Sequence, residues 1–310
     1  ISRSIPIVLN NVMVQFFPEG GYIMNDTKNN IAFKATNEFG KPADIKGILK
    51  NKKGETISTF ESFHQGMGSF ELAAQSDEKY TIELTEPTNQ TFDLPKALNT
   101  GIGIRQINQT KEKTSFYIHT STPQTIHLVA EVAGKIHYSE TFTNAKSGIY
   151  KINTDTFPVG IMKLTVFDAQ LHPQSERLTF INSQRKIHIY PKFNKEKYTP
   201  GERVNLSFRV ADEKGKGVQG NFSLAVVDDE WHTFADDKQD NILSYLLMSS
   251  ELQGDVFEPS FYFNKKEKKA TKALDYVMMT HGWRRFGWRE IIEQQPKTWV
   301  NKIKYPKDQV

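Results

Sequence analysis

Cysteine is absent from this chain of 310 residues. The absence excludes disulfide frameworks, zinc-thiolate sites, iron–sulfur clusters and cysteine nucleophiles, and it removes any thioester chemistry. It leaves the compartment open, since a periplasmic or surface protein of a bacterium does not require disulfides.

Long hydrophobic runs and blocks of one charge are also missing. No apolar run reaches the ~18 residues that a membrane-spanning helix needs. The formal charge is +4, and lysines alternate with acids, so we expect no nucleic-acid partner. The densest basic run, KKEKK at Lys265–Lys269, is typical of a solvated loop or a helix start. The chain opens at Ile1 without a signal-peptide pattern, and we expect an internal or processed segment that meets a membrane only through a parent protein.

Aromatic residues, by contrast, are plentiful. The chain has 21 Phe, 11 Tyr and 4 Trp, whereas disordered chains are poor in aromatics. The chain therefore folds, and its length allows two or three domains that each bury a core.

Two phrases recur along the chain. GSFELAAQSDEKYTIEL begins at Gly68 and GIYKINTDTFPVGIMKLTVFD at Gly148, and both predict two alternating strands around a short break. KATNEFGKPADIKG begins at Lys34 and RVADEKGKGVQGNFSLAVVD at Arg209, each with a strand, an acidic-Gly-Lys turn and another strand. Repeated phrases of this kind indicate tandem domains of one type.

The strand pattern divides the chain into modules. Short strands follow one another at about 8–12-residue spacing with turn residues between them, which is typical of antiparallel sandwiches. We predict the end of a preceding domain over 1–11 and sandwiches over 12–87, 88–182 and 183–310. A hairpin turn is predicted at Gly134 and Lys135, and a further strand over FSLAVV, residues 222–227.

Helical spacing appears only near the C-terminus. DNILSYLLMSSELQG begins at Asp240, with Asp240 or Asn241 as N-cap and Gly254 as the stop. TKALDYVMMTHGWRRFGWREIIEQ begins at Thr271, with an interruption at Gly282 or Gly287. We therefore predict an all-β array of macroglobulin- or immunoglobulin-like sandwiches with a helical extension over about 240–294.

The stretch YTPGERVNLSFRVADEKGKGVQGNFSLAVVDDE, Tyr198–Glu230, resembles the macroglobulin-like domains of the alpha-2-macroglobulin family. The wider string FFPEGG, GMGSFEL, DNILSYLLMSSELQG and LDYVMMTHGWRRF is similar to large envelope proteins of Bacteroidetes-type bacteria. This resemblance implies a neighbouring TonB-dependent-receptor plug domain and an extracytoplasmic location, in the periplasm or at the outer membrane. The thioester of the protease-trapping members needs a cysteine, which this chain lacks.

Catalytic and metal-binding patterns are weak. The eight histidines form no HxxxH or HExxH pair on a predicted helix, although His127 and His137 lie on neighbouring hairpin arms. The acidic stretch from Asp228 to Asp240 lacks the glycine-centred spacing of a calcium loop. No G-x-S-x-G occurs. Strand acids such as Glu71, Glu83 and Glu131 fit outward faces better than a glycosidase pair.

The most unusual cluster is HGWRRFGWRE at His281–Glu290. Trp and Arg are enriched at binding hot spots because they bury a large area and keep a polar group. One hypothesis is a docking surface for a neighbouring domain or partner; the other is a helix packed on the third sandwich. FFPEGG at Phe16–Gly21 is interpreted as a junction between domains. The candidate interaction residues are Phe16, Phe17, Trp283, Arg284, Arg285, Phe286 and Trp288.

We therefore expect a non-catalytic structural or interaction segment without a cofactor. Its expected partners are neighbouring domains of the parent chain or another envelope protein, in a role linked to outer-membrane uptake or assembly. One alternative is a carbohydrate-binding or carbohydrate-cleaving sandwich, since aromatics stack on sugars. Another is a protease-trapping macroglobulin homologue that lacks the thioester.

Overall fold

The first seven strands form a two-layer sandwich in the computed structural model, which describes residues 11–226 and 238–286. One sheet has the order β1-β2-β5 and the other β4-β3-β6-β7. The core lies between them, with Phe33, Leu49 and Ile82 fully buried. The strands are β1 Val12–Pro18, β2 Lys28–Asn37, β3 Lys46–Lys50, β4 Thr56–Glu61, β5 Met67–Ala73, β6 Thr81–Glu86 and β7 Thr91–Asp93.

The next seven strands form a second sandwich. Its sheets have the orders β8-β9-β12 and β11-β10-β13-β14, and Phe116, Leu128 and Leu164 lie fully buried between them. The strands are β8 Ile102–Gln109, β9 Lys113–Thr120, β10 Gln124–Val132, β11 Lys135–Ala145, β12 Gly148–Asn153, β13 Gly160–Phe167 and β14 Pro173–Ile181.

The two sandwiches have the same topology. Counted from its own first strand, each places strands 1-2-5 in one sheet and 4-3-6-7 in the other, with antiparallel neighbours throughout. A constant-type immunoglobulin domain keeps its fourth strand beside the fifth, and here that strand has moved to the opposite sheet. The predicted all-β class of tandem antiparallel sandwiches is confirmed.

The first recurring phrase marks equivalent strands. Gly68 lies on β5 and Gly148 on β12, so both copies supply the fifth and sixth strands of a sandwich. The turn after β10 differs by one residue from its prediction. It consists of Ala133 and Gly134, with φ of 50° and 74°, because a two-residue hairpin needs positive φ at both central positions.

The third repeat is only a hairpin within the residues that the structure describes. β15 (His188–Phe193) pairs with β16 (Leu206–Ala211) in a two-stranded sheet. The predicted strand over FSLAVV is not formed in its described part, where residues 221–226 are irregular and exposed. In the complete sandwiches the third strand lies between the fourth and the sixth, and the described residues contain neither partner here.

The helical segment begins where the sequence predicted. Asn241 is the N-cap, and its side chain accepts hydrogen bonds from the backbone of Leu243 and Ser244. The helix is one turn of α1 (Ile242–Ser244) and one π turn (Tyr245–Ser249), followed by a 3-10 turn (Pro259–Phe263). The longest helix, α2, spans Ala270–Thr280 and ends two residues before Gly282. None of the helices in the described ranges is long and apolar enough to cross a membrane.

α2 packs against both complete sandwiches. Its Ala273, Val277 and Met278 belong to one buried cluster with Met67 of the first sandwich and Leu178 of the second. The hypothesis that HGWRRFGWRE forms a helix on the third sandwich is wrong in its described part, because residues 281–286 follow α2 without helical structure. An almost entirely buried helix needs apolar surface on two sides, and two adjacent sandwiches provide it.

Candidate functional site

The turn between β1 and β2 is pressed against the second sandwich. Gly20 and Gly21 have φ of 85° and 103°, which glycine tolerates and other residues avoid. A Cβ on Gly20 would lie 2.5 Å from Ser175 Oγ and 2.8 Å from Ile104 O. The Ser175 hydroxyl donates a 2.7 Å hydrogen bond to the Gly20 carbonyl. FFPEGG is thus built for close approach between the two sandwiches.

Glu19, at the tip of this turn, is buried in the second sandwich. Its Oε1 accepts hydrogen bonds from the Gln106 backbone N–H and from Arg177 Nε, each 2.7 Å long. Its Oε2 accepts from Asn30 Nδ2 at 2.8 Å. A buried carboxylate is stable when its oxygens are paired in this way, so Glu19 anchors the first sandwich to the second.

Arg177 connects three parts of the molecule. It lies on β14, and its side chain is only 3% exposed. Nε pairs with Glu19 of the first sandwich, while Nη2 donates to Asp275 Oδ1 of α2 at 2.7 Å. Nη1 donates to the Leu178 carbonyl. Because a guanidinium has fixed, divergent donors, one side chain sets the relative positions of both sandwiches and the helix.

An apolar cluster adjoins this ion network. Its members come from both sandwiches and from the helical segment, and all are nearly inaccessible to solvent. They are Ala32, Met67, Ile161, Leu178, Phe180, Met248, Tyr262, Ala273, Leu274, Tyr276, Val277, Met278 and Met279. The exclusion of water strengthens the Arg177–Glu19 pair, whose side chains are 3% and 2% exposed, so packing and electrostatics support the same geometry.

The residues after α2 return to the β1–β2 turn. Trp283 Nε1 donates to the Pro18 carbonyl at 2.8 Å, and its ring meets Phe17 edge-on at 5.7 Å between centroids. Tyr22 Oη donates to the Phe286 carbonyl at 2.7 Å, and Arg285 Cζ lies 5.0 Å from the centre of the Tyr22 ring. The structure thus brings FFPEGG and HGWRRF, two predicted candidate segments, into one contact.

The remaining candidate residues lie elsewhere. Phe16 points to the opposite side of β1 from Phe17 and packs in the first core against Phe70 and Phe92, at 6.2 and 6.1 Å. Arg284 Nε lies 3.6 Å from Glu176 Oε1. Burial raises the pKa of Glu176 above its ordinary range, whereas the hydroxyl of Thr165, at 2.9 Å, and the charge of Arg284 act in the opposite direction. Trp288 lies outside the described residues.

His281 closes the C-terminal end of α2. Its Nε2 lies 3.0 Å from Lys34 Nζ and its Nδ1 lies 3.0 Å from the Gln253 carbonyl. Burial, with the charge of Lys34, lowers the pKa of His281 to about 4, against weaker opposition from Asp255. The imidazole is therefore neutral at pH 7, with Nδ1–H as donor and Nε2 as acceptor.

The other chemical hypotheses find ordinary surroundings. His127 hydrogen-bonds Thr141 at 2.9 Å, while His137 lies beside Phe157. In ranges 11–226 and 238–286 no three His, Asp or Glu side chains gather as a metal site would need. Glu71, Glu83 and Glu131 each pair with a lysine of a neighbouring strand, namely Lys28, Lys50 and Lys163. Most of the acidic stretch, residues 228–237, lies outside the described ranges, while Asp240 accepts from Ser244 and Ser249.

The ion network was not predicted from the sequence. Glu19 stands inside a recognised turn, and Arg177 stands in ERLTFIN, where polar and apolar residues alternate like any half-buried strand. Nothing in the local sequence indicates that β14 becomes buried on both of its faces. The available signal was the double glycine after Glu19, since a turn of that kind indicates close backbone approach.

Comparison with known proteins finds similar solved structures but no similar sequence. No family model matches the sequence, and no curated protein matches it. Similar solved structures include a Salmonella alpha-2-macroglobulin reacted with methylamine (13% identity, 68% of this chain and 19% of that one, TM-score 0.24). They also include a biofilm-associated protein's BSP domain (14%, 55% and 29%, 0.27) and invasin, a bacterial integrin-binding protein (13%, 68% and 48%, 0.23).

These comparisons have a limited reach. The chain spans 19% of the length of the Salmonella macroglobulin. The strand order and the buried contacts define the class instead. The molecule is a tandem β-sandwich protein in which a C-terminal helical segment locks two sandwiches together.

Proposed function

We propose that this chain is a non-catalytic structural and interaction segment of a larger extracytoplasmic protein, and that its first two sandwiches act as one rigid spacer. The observation that carries the proposal is the Arg177 network, which ties β14 to Glu19 and to Asp275. Flexibly linked domains share small, polar contacts. Arg177, by contrast, is a buried guanidinium beside an apolar cluster, and this arrangement favours a fixed angle between the two sandwiches.

The aromatic residues of FFPEGG and HGWRRF support a junction rather than a sugar-binding face. A carbohydrate-binding sandwich would present exposed aromatic rings beside facing carboxylates. Here Trp283 donates to a backbone carbonyl and packs on Phe17, and the strand acids named above are paired with lysines. We expect the chain to bind no member of a glycan array. Specific binding to one glycan would favour the carbohydrate-binding alternative.

Small-angle X-ray scattering tests the rigid spacer. We expect one rigid arrangement of the first two sandwiches to fit the scattering of the wild-type chain. The double variant Arg177→Met/Trp283→Ala removes the central ion network and the aromatic contact, and its scattering should require an ensemble of angles. The matched control Arg209→Met/Tyr190→Ala changes an Arg–Tyr pair of the third hairpin and should keep the angle. Wild-type data that fit only freely jointed sandwiches would refute the proposal.

A narrower part of the proposal concerns the parent protein. The similarity of FFPEGG, GMGSFEL and LDYVMMTHGWRRF to Bacteroidetes-type envelope proteins supports a role linked to outer-membrane uptake or assembly. A reading frame that continues into a TonB-dependent-receptor plug domain is the expected finding. A frame that encodes a separate secreted protein would contradict this link while leaving the spacer intact. Limited proteolysis addresses the protease-trap alternative, which requires one exposed, rapidly cleaved loop.

A further inference from the structure

One face of the β15–β16 hairpin is apolar, and no residue of the described ranges covers it. The register pairs Ile189 with Val210, Pro191 with Phe208, and Phe193 with Leu206. Directly opposed residues, and residues two apart on a strand, share a face of a sheet. All six side chains therefore lie on one side, which we call the acceptor face. Ile189, Phe193 and Phe208 on it are 55%, 53% and 50% exposed.

The opposite face is polar. Tyr190 is paired with Arg209, whose Cζ lies 4.5 Å from the centre of the tyrosine ring, and Lys192 is paired with Ser207. A sheet with one apolar and one polar face is half of a sandwich. A two-stranded hairpin is also marginal on its own, so the acceptor face is built to be covered.

The first sandwich shows what covers such a face. One constant displacement along the sequence carries the pairs Val14–Ala35, Phe16–Phe33 and Pro18–Ile31 onto the three pairs of the acceptor face, without insertion or deletion. Ile31, Phe33 and Ala35 are fully buried, and β3 of the opposite sheet contributes Leu49 to the same core.

The turn that follows the second strand repeats at the same displacement. In the first sandwich Asn37 N–H donates to Lys41 O, and Ala43 N–H donates to Ala35 O. In the third, Asp212 N–H donates to Lys216 O, and Val218 N–H donates to Val210 O. The bridge between Thr36 and Pro42 likewise recurs between Ala211 and Gly217. The chain therefore leaves both hairpins in the same direction and register.

At the same displacement, residues 218–226 correspond in sequence to β3 and the approach to it in the first sandwich. Leu224 takes the position of Leu49, and Phe222 takes that of Gly47. Val218, Phe222, Leu224 and Val226 alternate with polar or small residues, as a strand with one buried face requires. Phe222, Leu224 and Val226 are now 60%, 63% and 85% exposed. The segment therefore carries an apolar face that is complementary to the acceptor face.

We propose that residues 218–226 of this chain dock across the acceptor face as the third strand of a third sandwich. The hydrogen bond from Val218 to Val210 makes the segment continuous with the hairpin that it covers. Phe222 and Leu224 turn inward against Phe208, while Ser223 turns outward. The sequence of the segment, rather than a foreign ligand, determines what the face binds.

Thiol labelling tests the docking, because the chain has no cysteine to interfere. Leu224→Cys places a thiol on the inward side of the segment, and Ser223→Cys places the control on the outward side. We expect a maleimide to label Leu224→Cys at least about tenfold more slowly, since a docked strand reacts only when it opens. Adding Phe208→Ser should abolish the difference, whereas Arg209→Ser, on the polar face, should leave it unchanged.

Two outcomes would overturn the proposal. Equal labelling of the two thiols, unaffected by Phe208→Ser, would show that the segment remains undocked. Rapid labelling of Leu224→Cys together with slow, concentration-dependent labelling of Phe208→Cys would show that a second copy of the chain covers the face. A circular-dichroism unfolding transition equal to that of the wild-type chain verifies that each variant keeps the first two sandwiches folded.

Discussion

The first and third hairpins have the same register and opposite surroundings. Phe33 in β2 is fully buried, whereas Phe208, at the equivalent position in β16, is half exposed. Both positions are apolar, so the local pattern does not distinguish them. The difference lies in the second sheet, which covers Phe33 and is absent around Phe208 in the described ranges. An amphipathic hairpin thus specifies a face, and a partner sheet turns that face into a core.

Truncation of the two equivalent phenylalanines should give the largest difference in stability between the first and third hairpins. Phe33→Ala should lower the free energy of unfolding of the first sandwich by about 3–5 kcal/mol, because it leaves a cavity in a packed core. Phe208→Ala should change the unfolding of the first two sandwiches by less than about 0.5 kcal/mol, since Phe208 lies outside the three buried clusters that these sandwiches form with the helical segment. Urea unfolding followed by circular dichroism measures both, and equal losses would contradict the comparison.

The junction should be nearly as sensitive as the core. Arg177→Met leaves Glu19 buried without its partner, and we expect a loss of about 3–5 kcal/mol in chemical denaturation. The control Lys46→Met removes an exposed partner of Glu86 and should cost less than about 1 kcal/mol. A loss for Arg177→Met no larger than for the control would mean that the network does not hold the sandwiches together.

Close packing at the β1–β2 turn comes next. Gly20→Ala should destabilise the chain by about 3 kcal/mol, because its Cβ would meet Ser175 Oγ and Ile104 O while φ is positive. Gly40→Ala has a comparable φ of 72° but open space around the added methyl group, so about 1 kcal/mol is expected. The difference between the thermal unfolding midpoints of the two variants measures the effect of the contact with the second sandwich. Equal midpoints would show that this contact has no effect on stability.

The smallest expected effect is the pH response of the helix end. The folded pKa of His281, about 4, lies below its ordinary 6.5, so the unfolded chain takes up the proton first as pH falls. The contribution of neutral His281 to the free energy of unfolding is complete above pH 6.5 and is lost as the pH falls from 6.5 to 4. Between pH 7.5 and pH 5 this loss amounts to about 2 kcal/mol.

The variant His281→Gln provides the control for this titration. A neutral amide still donates to the Gln253 carbonyl and accepts from Lys34, but it does not titrate. Denaturation across this pH range should therefore show a smaller slope for the variant. The raised pKa of Glu176 contributes with the opposite sign in both proteins, since it favours the folded state as pH falls. Identical slopes would show that His281 is not the responsible group.

The sequence alone determined the kind of fold. Alternating strands, the recurring glycine-led phrases and the turn residues predicted tandem antiparallel sandwiches, because period-two patterns and turn chemistry are local properties. The pair Asp240 and Asn241 was predicted to contain the cap for the same reason, and the FFPEGG and HGWRRF segments were singled out by composition. How strands were shared between sheets, and whether strand three of the last repeat formed, depended on partners distant in the chain.

Only the tertiary structure decided where the helix belongs and why Glu19, Arg177 and Asp275 matter. These three residues are far apart in sequence, and each is ordinary in its local setting. Charged side chains become a structural junction when folding buries them together, and burial is a property of the whole arrangement. Local sequence patterns therefore determined the sandwiches, while contacts between the sandwiches determined the junction.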